Sequence, residues 1–213
     1  MVNKQFWADP YLTVLDTRVA QVQGKEITLE ETIFYALSGG QESDTGTIGG
    51  YSVRAARKEG REIYYDVGDG HALRAGDPVT VTIDWERRYR LMRLHFAAEI
   101  VLEWTYRYLR GISKIGAHIA QEKARIDFHW EENIAPWLPG IQQEANRIVA
   151  LDAPIISAFS DEGLERRYWE VAGFARVPCG GTHVRRTGEV GEIRLKRNNI
   201  GKGKERIEIY LDN

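Results

Sequence analysis

From residue 85 to residue 110 the chain reads WERRYRLMRLHFAAEIVLEWTYRYLR, without a glycine or a proline, and Gly111 ends the run. Residues of this kind lose little freedom in a helix, so the stretch predicts one long helix. Asp84, immediately before it, offers a carboxylate to the unpaired N–H groups of a first turn. Leu91, Leu94, Ala98, Leu102, Tyr106 and Leu109 recur at helical spacing and predict an apolar stripe.

The texture before this run is different. YSVRAA, REIYYDV and DPVTVTI are short β-rich segments separated by glycine-bearing turns, and Val79, Val81 and Ile83 share one face by the two-residue period. They suit a small barrel or sandwich. After the helix a shorter one is expected around 140 to 150, broken from HWEENIAPWL by Pro139, and strands resume around 154 to 159. GEIRLKR and RIEIYL alternate on either side of NNIGKGKE, which reads as a hairpin with a basic, glycine-containing tip. The expected class is therefore α+β, with a boundary near residue 84 separating 1–84 from 85–213.

A chain of 213 residues that is 43% hydrophobic can bury a sizeable core, so disorder is a poor expectation. One cysteine excludes an intrachain disulfide. The beginning, MVNKQFWADPYLTVLD, resembles neither a basic leader nor a long apolar segment, so neither secretion nor a membrane partner is expected and the expected compartment is the cytoplasm. The formal net charge of -2 argues against a wholly basic nucleic-acid coat. Charge is nevertheless uneven. Between 185 and 206, Lys and Arg occupy 185, 186, 194, 196, 197, 202, 204 and 206, against acids at 189, 192 and 205. Nothing marks an obligate protein partner.

Two polar pairs interrupt this pattern. His95 and Glu99 stand four apart on the long helix, on one face and beside apolar neighbours. Burying either costs several kcal/mol, of order, unless it has a partner, and a metal or a charged substrate is one. A satisfied core histidine and a solvated glutamate would look the same. Cys179 and His183 are also four apart, in VPCGGTHV, where Gly180 and Gly181 permit unusual backbone conformations. These two fit a metal site, a nucleophile with its base, or a buried thiol beside a loop histidine. The four side chains together are acceptable zinc ligands. A Cys-His nucleophile lacks any visible third orienting group.

Five stretches, in order, resemble the alanyl-tRNA editing family, which includes freestanding trans-editing proteins and the editing domain of alanyl-tRNA synthetase. FYALSGGQESDTG at 34–46 is similar to the family's glycine-rich segment in a small N-terminal β-barrel. RLHFAAEI is similar to its metal-site helix and RIDF at 125–128 to a core strand. VPCGGTHV at 177–184 resembles its second ligand loop, and IGKGKERI at 200–207 its terminal Gly/Lys hairpin. CGGTH alone is moderately specific; the five in this order and spacing are much more so.

The resemblance implies a small N-terminal β-barrel followed by an α/β editing domain with a long metal-site helix and antiparallel strands. It implies one zinc ion per chain on His95, Cys179 and His183, and hydrolysis of the ester joining serine or glycine to alanine tRNA. Where the family helix usually offers a second histidine, this chain has Glu99. Glu99 is expected either to fill the fourth ligand position, leaving zinc, thiolate, carboxylate and two neutral imidazoles uncharged in sum, or to stand outside three ligands as a general base. In SGGQESD, Gly39 and Gly40 are expected to let backbone approach the substrate, Gln41 and Asp44 to orient its amino group or a water, and Ser38 and Gln41 to recognise a serine hydroxyl. A glycine-rich turn with polar surface residues is the plainer reading of that segment.

RNA contact is expected from Lys196, Arg197, Lys202 and Lys204, with Gly201 and Gly203 allowing close approach to phosphates. A solvated hairpin is the plainer alternative. The competing functions are a zinc hydrolase of a small ester or amide, which would lack RNA affinity, and an RNA-binding module with an eroded site.

Overall fold

A computed structural model describes residues 2–201 and 203–212. The chain divides into two compact units, Met1–Ser38 with Glu42–Tyr89 and Gly39–Gln41 with Arg90–Asn213. The division thus falls inside the long helix, and three residues of the glycine-rich segment belong to the second unit.

The first unit contains β1 (Asn3–Lys4), a single helical turn α1 (Gln5–Ala8), β2 (Val14–Gln23), β3 (Glu26–Leu29), β4 (Glu31–Thr32), β5 (Gly46–Ile48), β6 (Tyr51–Ser52), β7 (Ala55–Glu59), β8 (Glu62–Asp66) and β9 (Pro78–Ile83). Seven of these strands pair in the order β6-β5-β9-β2-β3-β8-β7, all antiparallel, while β1 and β4 form a small parallel pair. Strand β9 alternates as its period predicts, with Val79, Val81 and Ile83 inward on a core that includes Ile27, Ile33, Phe34, Ile48, Ile63 and Tyr65.

The expected barrel is a half-barrel. Its edge strands β6 and β7 do not pair with each other, yet only Val53 and Arg54 separate them in sequence. Val53 N–H donates to Gly46 in β5 at 3.0 Å, and Arg54 N–H to Asp66 in β8 at 2.8 Å, so the chain passes from one sheet edge to the other in two residues. That crossing requires a strongly curled sheet, in keeping with the right-handed twist of strands, but leaves it open.

Helix α2 (Trp85–Tyr108) opens as expected on Asp84, whose Oδ1 accepts from Arg87 N–H at 3.1 Å. The apolar stripe proves too narrow a description. Leu91, Met92, Leu94, His95, Phe96, Ala97, Ala98, Ile100, Val101 and Leu102 are all buried, so this part of the helix is covered round most of its circumference, while Tyr106 is exposed. Among the described residues no helix is long and apolar enough to cross a membrane.

The second unit continues with β10 (Ser113–Ile119), β11 (Ala124–His129), α3 (Leu138–Ala150), β12 (Ile156–Asp161), β13 (Arg166–Val171), β14 (Ala175–Pro178), β15 (Ile193–Asn199) and β16 (Lys204–Leu211). Pro139 lies within the first turn of α3, where its missing N–H costs nothing, rather than ahead of it. One antiparallel sheet has the order β10-β11-β16-β15 and another β12-β13-β14. Helix α3 covers the edge of the first: Asn146 Oδ1 accepts from Ile193 N–H at 2.8 Å, and Gln142 Oε1 from Leu195 N–H at 2.8 Å.

Candidate metal centre

The site lies within the second unit. His95 is four residues from Glu99 on α2, and the pair meets as its spacing requires, with Glu99 Oε1 3.4 Å from His95 Nε2. Cys179 follows β14 directly. Its N–H donates to the Arg167 carbonyl at 2.9 Å, continuing the ladder that pairs Tyr168 with Pro178. The loop then turns, and His183 returns to the same point: its Nε2 lies 3.3 Å from Cys179 Sγ, which is 3.4 Å from His95 Nε2.

Gly181 makes this turn possible through space rather than through its backbone angles. A Cβ there would stand 2.1 Å from His95 Cε1 and 2.7 Å from Nδ1, so the imidazole lies directly on the glycine. At Gly180 a Cβ would meet nothing within 4 Å.

Each imidazole is held by its Nδ1. His95 Nδ1 donates to Gln41 Oε1 at 2.6 Å, while Gln41 Nε2 donates to Thr182 Oγ1 at 2.9 Å; all three side chains are buried. His183 Nδ1 pairs with Ser157 Oγ at 2.9 Å. Both bonds fix the ring orientation, and in a neutral His95 the Gln41 acceptor keeps the proton on Nδ1 and leaves Nε2 with the lone pair that a metal takes. Gln41 reaches His95 because Gly40 lies tight against β10. Ile119 N–H donates to the Gly40 carbonyl at 2.8 Å, and at φ 91° a Cβ on Gly40 would meet the Ala117 oxygen at 2.6 Å. Here the glycine's freedom and close approach serve the protein's own packing.

Glu99 stands beside the three. Its Oε1 is 3.8 Å from Cys179 Sγ, and its Oε2 accepts a 3.0 Å bond from the buried Trp169 indole N–H. Burial disfavours every charged form here, but mutual attraction outweighs it. The Cys179 thiolate and the Glu99 carboxylate hold His95 up at about 10. His95 and His183 lower Cys179 to about 6, and His95, helped by the Trp169 N–H, holds Glu99 down at about 2. The pocket therefore favours a thiolate and a carboxylate facing positive charge.

The donor set suits one metal ion. Among the described residues, His95, Cys179 and His183 form a group whose ligand atoms all lie within 4.8 Å of one another. In a tetrahedral zinc shell, neighbouring sulfur and nitrogen donors stand about 3.6 Å apart and two nitrogens about 3.4 Å. The contacts at 3.3 and 3.4 Å are close to those edges.

Other residues singled out in the sequence have different surroundings. Asp44 belongs to the first unit, where its buried carboxylate pairs with the equally buried Arg88 and accepts from Tyr35 N–H at 2.6 Å. Arg88 also donates to the carbonyls of Pro10 and Ile33. Ser38, in the same unit, accepts at its carbonyl from the Tyr35 hydroxyl at 3.2 Å, and Gly39 is exposed. On the terminal hairpin, Lys196 and Lys204 are exposed, but Arg197 makes a two-pronged pair with the buried Glu205, at 2.6 and 2.5 Å. Gly201 and Gly203 flank the tip with φ 129° and 68°; Lys202 lies outside the described residues. Sequence reasoning passed over Thr182, Ser157 and Trp169, because a hydroxyl or an indole carries no spacing signal for a bond to a distant imidazole or carboxylate.

Fold and cluster together define a class, an α+β protein built round a site for one metal ion. A family described as "Threonyl and Alanyl tRNA synthetase second additional domain" matches residues 170–208. The alanyl-tRNA editing protein AlaX-M of Pyrococcus horikoshii is 35% identical over all of this chain and 99% of its own length. That of Saccharolobus solfataricus is 32% identical over 97% of this chain and 98% of its own. An alanine–tRNA ligase of Methanococcus maripaludis is 32% identical over 95% of this chain, which spans 25% of the ligase. The chain belongs to the AlaX-M family of alanyl-tRNA editing proteins, and with this cluster it is a hydrolase.

Proposed function

We propose that the chain is a cytoplasmic trans-editing deacylase that uses one zinc ion to hydrolyse the ester joining serine or glycine to alanine tRNA. The observation that carries this reading is the His95, Cys179 and His183 cluster, gathered within 4.8 Å in a chain aligned from end to end with an AlaX-M protein. In the reaction water adds to the ester carbonyl, the carbon–oxygen bond to the ribose breaks, and a proton passes to the departing ribose oxygen. Zinc, when bound, supplies Lewis acidity toward the ester and the attacking water.

The chain's own residues do the remainder. Gln41 and Ser157 hold the two imidazoles with Nε2 inward. Glu99 Oε1, at 3.4 Å from His95 Nε2, stands beside the His95, Cys179 and His183 group and would be the fourth donor, its charge with that of the thiolate offsetting a divalent ion. Ser38, Gly39 and Gly40 are candidates to receive the aminoacyl group, and the exposed Lys196 and Lys204, with Lys202, to meet phosphates, the metal site and RNA contact both lying in the 85–213 part of the chain. The bonds of Gln41, Asp44 and Arg197 to protein partners favour supporting roles for those three.

The test is deacylation of alanine tRNA charged with serine, glycine or alanine, by metal-loaded and metal-stripped protein. Release of serine or glycine with alanine spared, and loss on stripping, is the expected result. No release from any charged tRNA overturns the proposal.

A further inference from the structure

Trp169 carries a role that its type and spacing do not announce. Strand β13 alternates, and Trp169 is on its inward face with no exposed surface. Its ring is clamped, edge-on to Phe96 at 5.1 Å and stacked on Phe174 at 6.2 Å. Phe96 is the neighbour of His95 on α2, so the clamp ties the indole to the same helical turn that carries the cluster. Cross-strand from Trp169 stands Ser157, the partner of His183.

The one polar atom of this indole has one use. Its N–H donates to Glu99 Oε2 at 3.0 Å. An ionised carboxylate offers two equivalent oxygens and, free to rotate, could present either or both to a cation. With Oε2 held by a ring that cannot turn, Oε1 alone faces His95 Nε2 and Cys179 Sγ, at 3.4 and 3.8 Å.

We propose that Trp169 is a positioning residue: its indole N–H fixes Glu99 so that the carboxylate would serve the metal centre through Oε1 alone, as a single-oxygen donor beside the three ligands. This rests on the metal site of the reading above but not on its substrate. Partners that orient metal ligands in this way typically change affinity 10–100-fold when removed.

The experiment is a chelator-competition titration of zinc on the full chain, for Trp169→Phe, Glu99→Ala and the double variant. Trp169→Phe is expected to weaken zinc binding about 10-fold where Glu99 is present, and to have no further effect beside Glu99→Ala. Cobalt in place of zinc should show an altered absorption spectrum in Trp169→Phe, reporting a changed donor set. Replacement of Trp169 by benzothienylalanine, which keeps the ring shape and removes only the N–H, should reproduce the loss even if the phenylalanine variant folds poorly. Equal losses in both Glu99 backgrounds would make Trp169 a packing residue only. Zinc affinity unchanged by the benzothienyl replacement would overturn the proposal. Deacylation by the wild-type protein is read separately, so failure of the editing assignment and failure of this inference are distinguishable.

Discussion

Gln41 and His95 stand 54 positions apart in sequence, and the Oε1 of one accepts from the Nδ1 of the other at 2.6 Å, both side chains buried. A glutamine in this place sets Nδ1 as the nitrogen that keeps the proton when the imidazole is neutral, as it must be to bind a metal. Removing it leaves a buried N–H without an acceptor and frees the ring to turn. Gln41→Ala should weaken zinc affinity about 10–100-fold in a chelator competition. Gln41→Glu keeps an acceptor at the same reach and should recover most of that loss; equal weakening in both would point to a packing role.

Gly181 and Gly180 are adjacent and should answer substitution in opposite ways. A methyl at 181 would have to displace the His95 imidazole, whereas at 180 it would enter open space. Gly181→Ala should therefore lose stoichiometric zinc, and Gly180→Ala should retain it, as measured by metal analysis of the purified variants. Full occupancy in Gly181→Ala would mean that the loop can retreat by about an ångström without harm.

Periodic signals carried much of the fold. The alternation of Val79, Val81 and Ile83, the cap at Asp84 and the uninterrupted run after it are local, and each reappears as an element with its expected face or boundary. What stayed hidden depends on partners far along the chain. The curl of the first sheet rests on Val53 and Arg54 bonding to Gly46 and Asp66, which no two-residue period reports. The burial of α2 round most of its circumference follows from what packs on it, not from its own composition. At the metal centre, residue type and spacing drew attention to His95, Glu99, Cys179 and His183; the structure groups the ligand atoms of the two histidines and the cysteine, with Glu99 beside them. Gln41, Ser157 and Trp169 support that site from distances of many residues, and their chemistry is shared with ordinary turns and cores. Polar residues beside glycines suggested substrate contact for Asp44, but its strongest partner is Arg88, an arginine whose burial the helix pattern did not show.

The Asp44–Arg88 pair offers a direct separation of stability from chemistry. Both side chains have no exposed surface, and Arg88 also satisfies two backbone carbonyls. Removing one partner of a buried pair leaves the other charge uncompensated, at a cost of about 3–5 kcal/mol. Asp44→Ala should lower the unfolding free energy by that order in a denaturant titration. Zinc affinity of the folded fraction should be unaltered. A variant of normal stability with impaired deacylation would return Asp44 to the reacting groups.

Cys179 should report the electrostatics of the centre by its reactivity. Burial alone would raise the pKa of a thiol, but His95 and His183 stand beside this one and lower it to about 6. A lowered pKa means that the thiolate persists down to mildly acid pH and is lost as pH falls through about 6, whereas an unperturbed cysteine needs a pH near its usual value of about 8.5. In metal-free protein, the rate of alkylation by iodoacetamide should therefore rise with a midpoint near 6 and be flat above neutrality. Metal draws on the same lone pair, so stoichiometric zinc should suppress the reaction across that range. His183→Ala removes one of the two stabilising imidazoles and should move the midpoint upward in the metal-free protein. A midpoint near 8.5 in the wild-type chain would show that the thiol is not held against the imidazoles.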